Sequence, residues 1–178
     1  MKVAETGQDR KVAALKSSFH VHIFFWVIIM KKEFMDLAFE NALKAYELDE
    51  VPIGAVIVKD NTVISCGFNK KEENNCVMAH AELIAIKKAE EVLKNWRLDG
   101  CDIYVTLDPC PMCASAIKQS RIENVYSALN NSDINNLVIL EKIFSTDSVN
   151  SSVNFKSNCD IDNSQELLRK FFEKQRNK

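Results

Sequence analysis

Two short segments carry residue types that can do chemistry together: His80-Ala81-Glu82, and Pro109-Cys110-Pro111-Met112-Cys113 some 30 residues further along. Cys110 and Cys113 stand three apart at the expected start of a helix, so both sulfurs project from one face. The positive end of the helix dipole there favours thiolates. His80 opens another helix. One imidazole and two thiolates make three protein ligands for zinc, with the fourth position open to water, which is the arrangement of a catalytic rather than a structural site. Glu82, two residues from the histidine, can lie beside the metal without ligating it. A carboxylate so placed can take a proton from water and return it to a leaving amine.

Other readings of the same residues explain less. A redox C-x-x-C pair gives no reason for His80 and Glu82. A zinc-stabilised binding module without catalysis has no use for a proton shuttle at Glu82. His80 is the single histidine after Met30, and His20 and His22 are assigned no role. Cys76, four residues before His80, would close the metal to water if it joined the ligands. Cys66, Cys101 and Cys159 are expected as ordinary buried thiols, and Trp96 and Tyr104 as core.

The elements that must position these residues follow from periodicity. Phe34, Leu37, Ala38, Ala42 and Ala45 keep helical spacing and predict an amphipathic helix that ends before Val51-Pro52. Gly54 to Val58 reads as a buried strand, Lys59-Asp60-Asn61 as a turn and Thr62 to Gly67 as the hairpin partner. A polar loop, Lys70 to Asn75, leads to a helix from about His80 to Leu93. Ile103 to Leu107 is a strand, a helix opens at Asp108-Pro109, and Asn124 to Ala128 is another short strand. Residues 129 to 163 are rich in Asn, Ser and Asp, and Leu137 to Leu140 within them fits helix or strand. Asn163-Ser164-Gln165-Glu166 resembles a capping box before a final helix, Leu167 to about Gln175. This alternation predicts an α/β class fold with three layers, α/β/α, helices covering both faces of the sheet.

Composition sets the bounds. The chain has 178 residues, 47% hydrophobic and 27% charged, which suits one globular domain. A domain of this size buries enough surface to fold without disulfides or metal, so a metal here serves chemistry. The formal net charge of −2 excludes a global basic field, and any nucleic-acid contact must come from a local patch. One candidate is the end of the chain, where Arg169, Lys170, Lys174, Arg176 and Lys178 stand against Glu173; the alternative is a solvated helix end whose dipole favours cations. The six cysteines read as reduced thiols in a cytoplasmic protein. Residues 1–29 differ in character. A polar stretch precedes the apolar run Ile23 to Met30, which is too short to span a bilayer, a task that takes about 20 residues. Lys31 and Lys32 follow it and no small-residue cleavage site appears, against a signal peptide. The expectation is a leader at 1–29 outside the working domain, with Met30 as the true start and the domain at 30–178.

The joint H-x-E and P-C-x-x-C pattern is the signature of zinc nucleobase deaminases. From about Lys31 to Gln175 the chain resembles the cytidine deaminase superfamily and, within it, the bacterial tRNA-specific adenosine deaminases. The resemblance rests on Val51-Pro52-Ile53-Gly54-Ala55-Val56, Gly67-Phe68-Asn69, Ala79-His80-Ala81-Glu82, Asn95-Trp96-Arg97-Leu98, Tyr104 to Ala114 and Ser120-Arg121-Ile122. It implies a three-layer α/β/α cytidine-deaminase-like fold with a central mixed sheet of about five strands, one Zn2+ per subunit held by His80, Cys110 and Cys113, and Glu82 as proton shuttle. It implies further that Asn69 hydrogen-bonds the base, that the Ala81 backbone meets its edge and that Val51 walls the pocket. The implied reaction replaces the C6 amino group of adenine, releasing ammonia and leaving inosine at the wobble position of a tRNA anticodon loop, in a homodimer with no membrane association. A free base or nucleoside such as guanine or cytosine is the alternative substrate. Three departures from the family pattern stand out. Cys76-Val77-Met78 replaces the usual residues before the histidine, and Asp108 replaces a glutamate. Ser127 and the following segment replace a stretch with glycines and a lysine, a change expected to bear on RNA contacts and not on zinc.

Overall fold

The computed structural model describes residues 32–130, 134–146, 152–159 and 162–178. The expected leader at 1–29 and the proposed start at Met30 lie outside them. Phe34–Lys178 packs as one unit.

A first helix, α1, spans 32–47. Its apolar positions Phe34, Ala38, Ala42 and Ala45 are buried, as their spacing predicts. Strand β1 (Gly54–Lys59) is a nearly continuous apolar run, the composition of a strand covered on both faces. Asp60 and Asn61, with φ of 48° and 58°, make the two-residue turn into β2 (Thr62–Phe68). Both residues at positive φ is the hairpin geometry that matches strand twist. There follow α2 (Ala81–Leu93), β3 (Cys101–Leu107), α3 (Pro111–Gln119), β4 (Asn124–Leu129), α4 (Ile134–Ser145), β5 (Asn154–Lys156) and α5 (Asp162–Arg176). The sheet order is β2-β1-β3-β4-β5, antiparallel on either side of β1 and parallel from β3 to β5.

Alternate side chains of this sheet feed two cores. Ala55, Ile57, Ile103, Val105 and Val125 meet Ala85, Ala89, Ile117 and Leu140 from α2, α3 and α4. On the opposite face Tyr104 stacks on Tyr126 at 4.8 Å between centroids and meets Phe34 of α1 at 5.3 Å. The expected three-layer α/β/α architecture with a five-stranded mixed sheet is therefore the observed one. Several local expectations change. Leu137–Leu140 is helical, within α4. The final helix begins at Asp162, so Asn163–Glu166 forms its first turn and does not precede it. Strand β5 has only three residues and carries no period that a sequence pattern could reveal. Trp96 is 53% exposed instead of core, with Arg97 stacked against its ring, whereas Tyr104 is buried. Of the cysteines expected as buried, Cys101 is, Cys66 is half-buried and Cys159 is exposed.

Two close approaches of backbone to backbone fix the helices on the sheet. A Cβ on Gly54 would come within 2.0 Å of the Ala38 carbonyl of α1, and one on Gly67 within 2.2 Å of the Ala81 carbonyl of α2. Neither contact can yield by a side-chain rotation. Because α2 carries Glu82 and starts at His80, Gly67→Ala is expected to lift the start of that helix. The expected loss is about 1–3 kcal/mol of stability, read by thermal melting, with weaker zinc binding beside it. Retention of both would show that α2 seats on the sheet without needing the glycine. On the far side of α3, the buried Lys118 ammonium donates to the carbonyls of Phe144 and Thr146. It closes the last turn of α4 in the way that helix ends take a cation.

Candidate active site

His80 and Cys110 are the N-caps of α2 and α3, both in extended backbone conformation, with φ/ψ of −80°/151° and −71°/166°. Neither side chain caps its own helix, so both are released to point across the gap between the two helix starts. Pro111 at the first helical position fixes the turn after Cys110. Cys113, one turn on, is buried. His80 Nδ1 lies 3.8 Å from Cys110 Sγ and 3.5 Å from Cys113 Sγ. The donor atoms of the three residues all lie within 4.8 Å of one another. Around a tetrahedral zinc the ligand atoms are about 3.5–3.8 Å apart, so the set fits the metal.

The electrostatics fit as well. The hydrogen bond from Cys113 holds the Cys110 thiol below the usual thiol range, and that bond together with burial pushes Cys113 up. A dication in the site would favour both as thiolates. Glu82 is 3% exposed, and its Oε2 has no partner among the described residues. Burial, reinforced by the charge of Cys110, pushes its carboxyl up to about 7. A buried carboxylate oxygen with nothing to bond is costly in a fold that needs it only for structure; beside a metal and its water it has work to do.

Asn69, at the end of β2, is buried, and its Oδ1 accepts the Ala81 N–H at 2.9 Å. That bond satisfies a first-turn donor of α2. Ala81 itself is fully buried. Val51 and Asn69 line a cleft of about 710 Å³ that opens beside His80. The expected site residues are thus gathered at one end of the sheet.

The sequence reading missed several of the cleft's walls. Phe171 and Gln175 come from α5, more than 90 residues from His80 along the chain, and their spacing of four on one helix face was the available signal. Glu50, also lining the cleft and 2% exposed, accepts the Glu73 N–H at 2.8 Å and pins the polar loop that leads to His80. Ser127 faces inward. It is fully buried on β4, and it donates to Asp108 Oδ1, which also accepts from Ser157 Oγ at 2.8 Å. The two departures from the family pattern are therefore one structural change: the aspartate and the serine hydroxyl face each other, and together they hold the loop that presents Cys110. Of the segment after Ser127, residues 131–133 lie outside the described residues.

Convergent imidazole and thiolate donors at two helix starts, next to a buried carboxylate on an α/β/α sandwich, define a zinc-binding deaminase site. Residues 29–129 match the family model described as the cytidine and deoxycytidylate deaminase zinc-binding region. The tRNA-specific adenosine deaminase of Aquifex aeolicus is 40% identical over 148 residues, covering 83% of this chain and 97% of that one. A solved structure from a study of A-to-I editing by tRNA:A34 deaminases shares 40% identity at a TM-score of 0.70, over 76% of this chain and 99% of its own. The guanine deaminase of Bacillus subtilis is 30% identical at a TM-score of 0.55, over 83% of this chain and 94% of its own. The chain belongs to the tRNA-specific adenosine deaminases of the cytidine and deoxycytidylate deaminase family. No helix among the described residues is long and apolar enough to cross a membrane.

Proposed function

We propose that the protein hydrolytically deaminates adenosine to inosine at the wobble position, A34, of a tRNA anticodon loop, acting in the cytoplasm. The observation that carries this reading is the buried Glu82 carboxylate, with an oxygen unpartnered among the described residues, beside a group of three metal donors whose His80 lines an open cleft. His80 through Nδ1, and Cys110 and Cys113 through sulfur, would hold one Zn2+. Bound there, zinc supplies Lewis-acid chemistry that makes water acidic near neutral pH.

The remaining steps belong to the chain's own side chains. Glu82 takes the proton of the attacking water as the oxygen adds at C6, and gives it to the departing nitrogen as the C6–N bond breaks and ammonia leaves. The Asn69 amide, its orientation set by the bond from Ala81 N–H, presents its Nδ2 to the base. Val51 lines the same cleft and walls the base pocket. An adenine paired or stacked in the loop cannot reach these groups, so the base enters splayed out. The working unit is residues 30–178, as a homodimer in which a second copy covers Val77 and Met78, exposed immediately before the site.

Zinc-loaded protein incubated with a tRNA carrying A34 is expected to produce inosine, detected by sequencing, in the full chain and equally in a version beginning at Met30. A free base is the second reading, favoured by the 30% identity to a solved guanine deaminase. Ammonia release from guanine or cytosine, with no inosine in tRNA, would select it.

A further inference from the structure

The basic end of the chain is already engaged by the protein itself. On α5, Arg169 pairs with Glu166 and Glu173, and Lys170 with Glu166, all along the exposed side of the helix. The other face, at positions 171, 174 and 175, follows the i, i+3, i+4 spacing of a single stripe, which Lys178 prolongs beyond the helix end. The polar contacts of that stripe converge on Asp49, in the turn between α1 and β1. Lys174 meets Asp49 at 3.0 Å, Gln175 donates to Asp49 Oδ1 at 3.0 Å, and Lys178 pairs with Asp49 Oδ2. Lys174 also sits over the Tyr46 ring, and Phe171 packs edge-on against the same ring at 6.4 Å. One carboxylate thus gathers two side chains of a helix more than 120 residues away, and Lys178 just beyond its end.

We infer that Asp49 is a positioning residue for substrate: it clasps α5 against the α1–β1 turn and so sets Phe171 and Gln175 as a wall of the cleft beside His80. The inference rests on the proposed deamination for its substrate, though the clasp itself stands on the contacts above. Asp49 lines the cleft itself, together with its neighbours Glu50 and Val51. Releasing the clasp therefore frees α5 from the α1–β1 turn at the cleft and leaves the metal ligands, at the starts of α2 and α3, in place. Lys178 and Lys174 also hold the Asp49 carboxyl well below the usual carboxylate range, as expected of a charge with two cations on it. Asp49 has a φ of 63°, which Asp and Asn tolerate better than most residues. Asp49→Asn thus removes the charge and keeps the turn.

The test compares wild type, Asp49→Asn, Asp49→Ala and Asp49→Glu on an A34 anticodon stem-loop, together with amide hydrogen exchange over residues 167–176. Asp49→Ala is expected to raise KM about fivefold with kcat held within about twofold, Asp49→Asn to do so in part, and Asp49→Glu to recover most of the loss. Amides 167–176 should lose protection in the same order. An unchanged KM overturns the clasp. So does a lowered KM, which would mean that Asp49 merely occupies lysines that otherwise bind phosphate. If wild type makes no inosine, the functional reading fails, and the exchange data still decide whether Asp49 holds α5. A Asp49→Ala protein that does not fold is recognised by its zinc content, and Asp49→Asn then carries the comparison.

Discussion

Glu82→Gln is expected to hold a full complement of zinc and to turn over no substrate. The substitution is close to isosteric, so the packing around a side chain that is 3% exposed is kept. Glutamine cannot accept and release a proton, and general acid–base catalysis of this kind contributes about 10²–10⁴-fold. In this site one group serves both the attacking water and the departing amine, so the loss falls at the upper end, at least about 10³-fold in kcat. Zinc content by elemental analysis should match wild type, because the three donors come from His80, Cys110 and Cys113. The fold should not suffer either. Glu82 Oε2 has no partner among the described residues, and burial already disfavours the charged carboxylate. An amide in its place removes a desolvated charge, so the variant should melt no lower than wild type. Turnover within tenfold of wild type would remove Glu82 from the proton path. A loss of zinc together with activity would instead give it a structural role at the metal.

The parts of this site that can be read from the sequence are those whose chemistry and local structure coincide. His80 and Cys110 stand at helix starts because residues at those positions leave the helical path, and the same departure frees their side chains for metal. The pairing of H-x-E with P-C-x-x-C therefore reports geometry as well as composition. The strand β1 was legible for a related reason, since the continuous apolar run Gly54 to Val58 has few homes other than the middle of a covered sheet. What could not be read depends on distance along the chain. The hydrogen bond between Asp49 and Gln175 joins positions 126 apart, and no period within α5 names its partner. Ser127 and Asp108, 19 residues apart, look like two separate departures from a pattern until the sheet brings them face to face. Ser127 itself is buried on β4, where its hydroxyl serves Asp108. Trp96 misled: its size argues for a core place, but its backbone lies in the turn after α2, where Leu98 takes the buried position.

His80→Ala tests the other half of the chemistry, and its signature differs from that of Glu82→Gln although both abolish turnover. Removing the imidazole leaves two sulfurs on one helix and no donor from α2, so the metal loses a third of its protein ligands and the tie between the helices. Zinc affinity should fall by at least about 10³-fold, and dialysed protein should carry almost none, where wild type carries one ion per chain. The fold should survive, because the core between the sheet and α2, α3 and α4 is apolar and continuous and does not depend on the site. The distinction becomes measurable through linkage. Metal that binds the native state alone stabilises it by about 2.7 kcal/mol at one hundred times its dissociation constant. A chelator should therefore lower the melting temperature of wild type and of Glu82→Gln, and leave that of His80→Ala unchanged. If His80→Ala keeps its zinc and its melting temperature still drops on chelation, the metal is held by a different set of residues, and the roles given to Cys110 and Cys113 fall with that of His80.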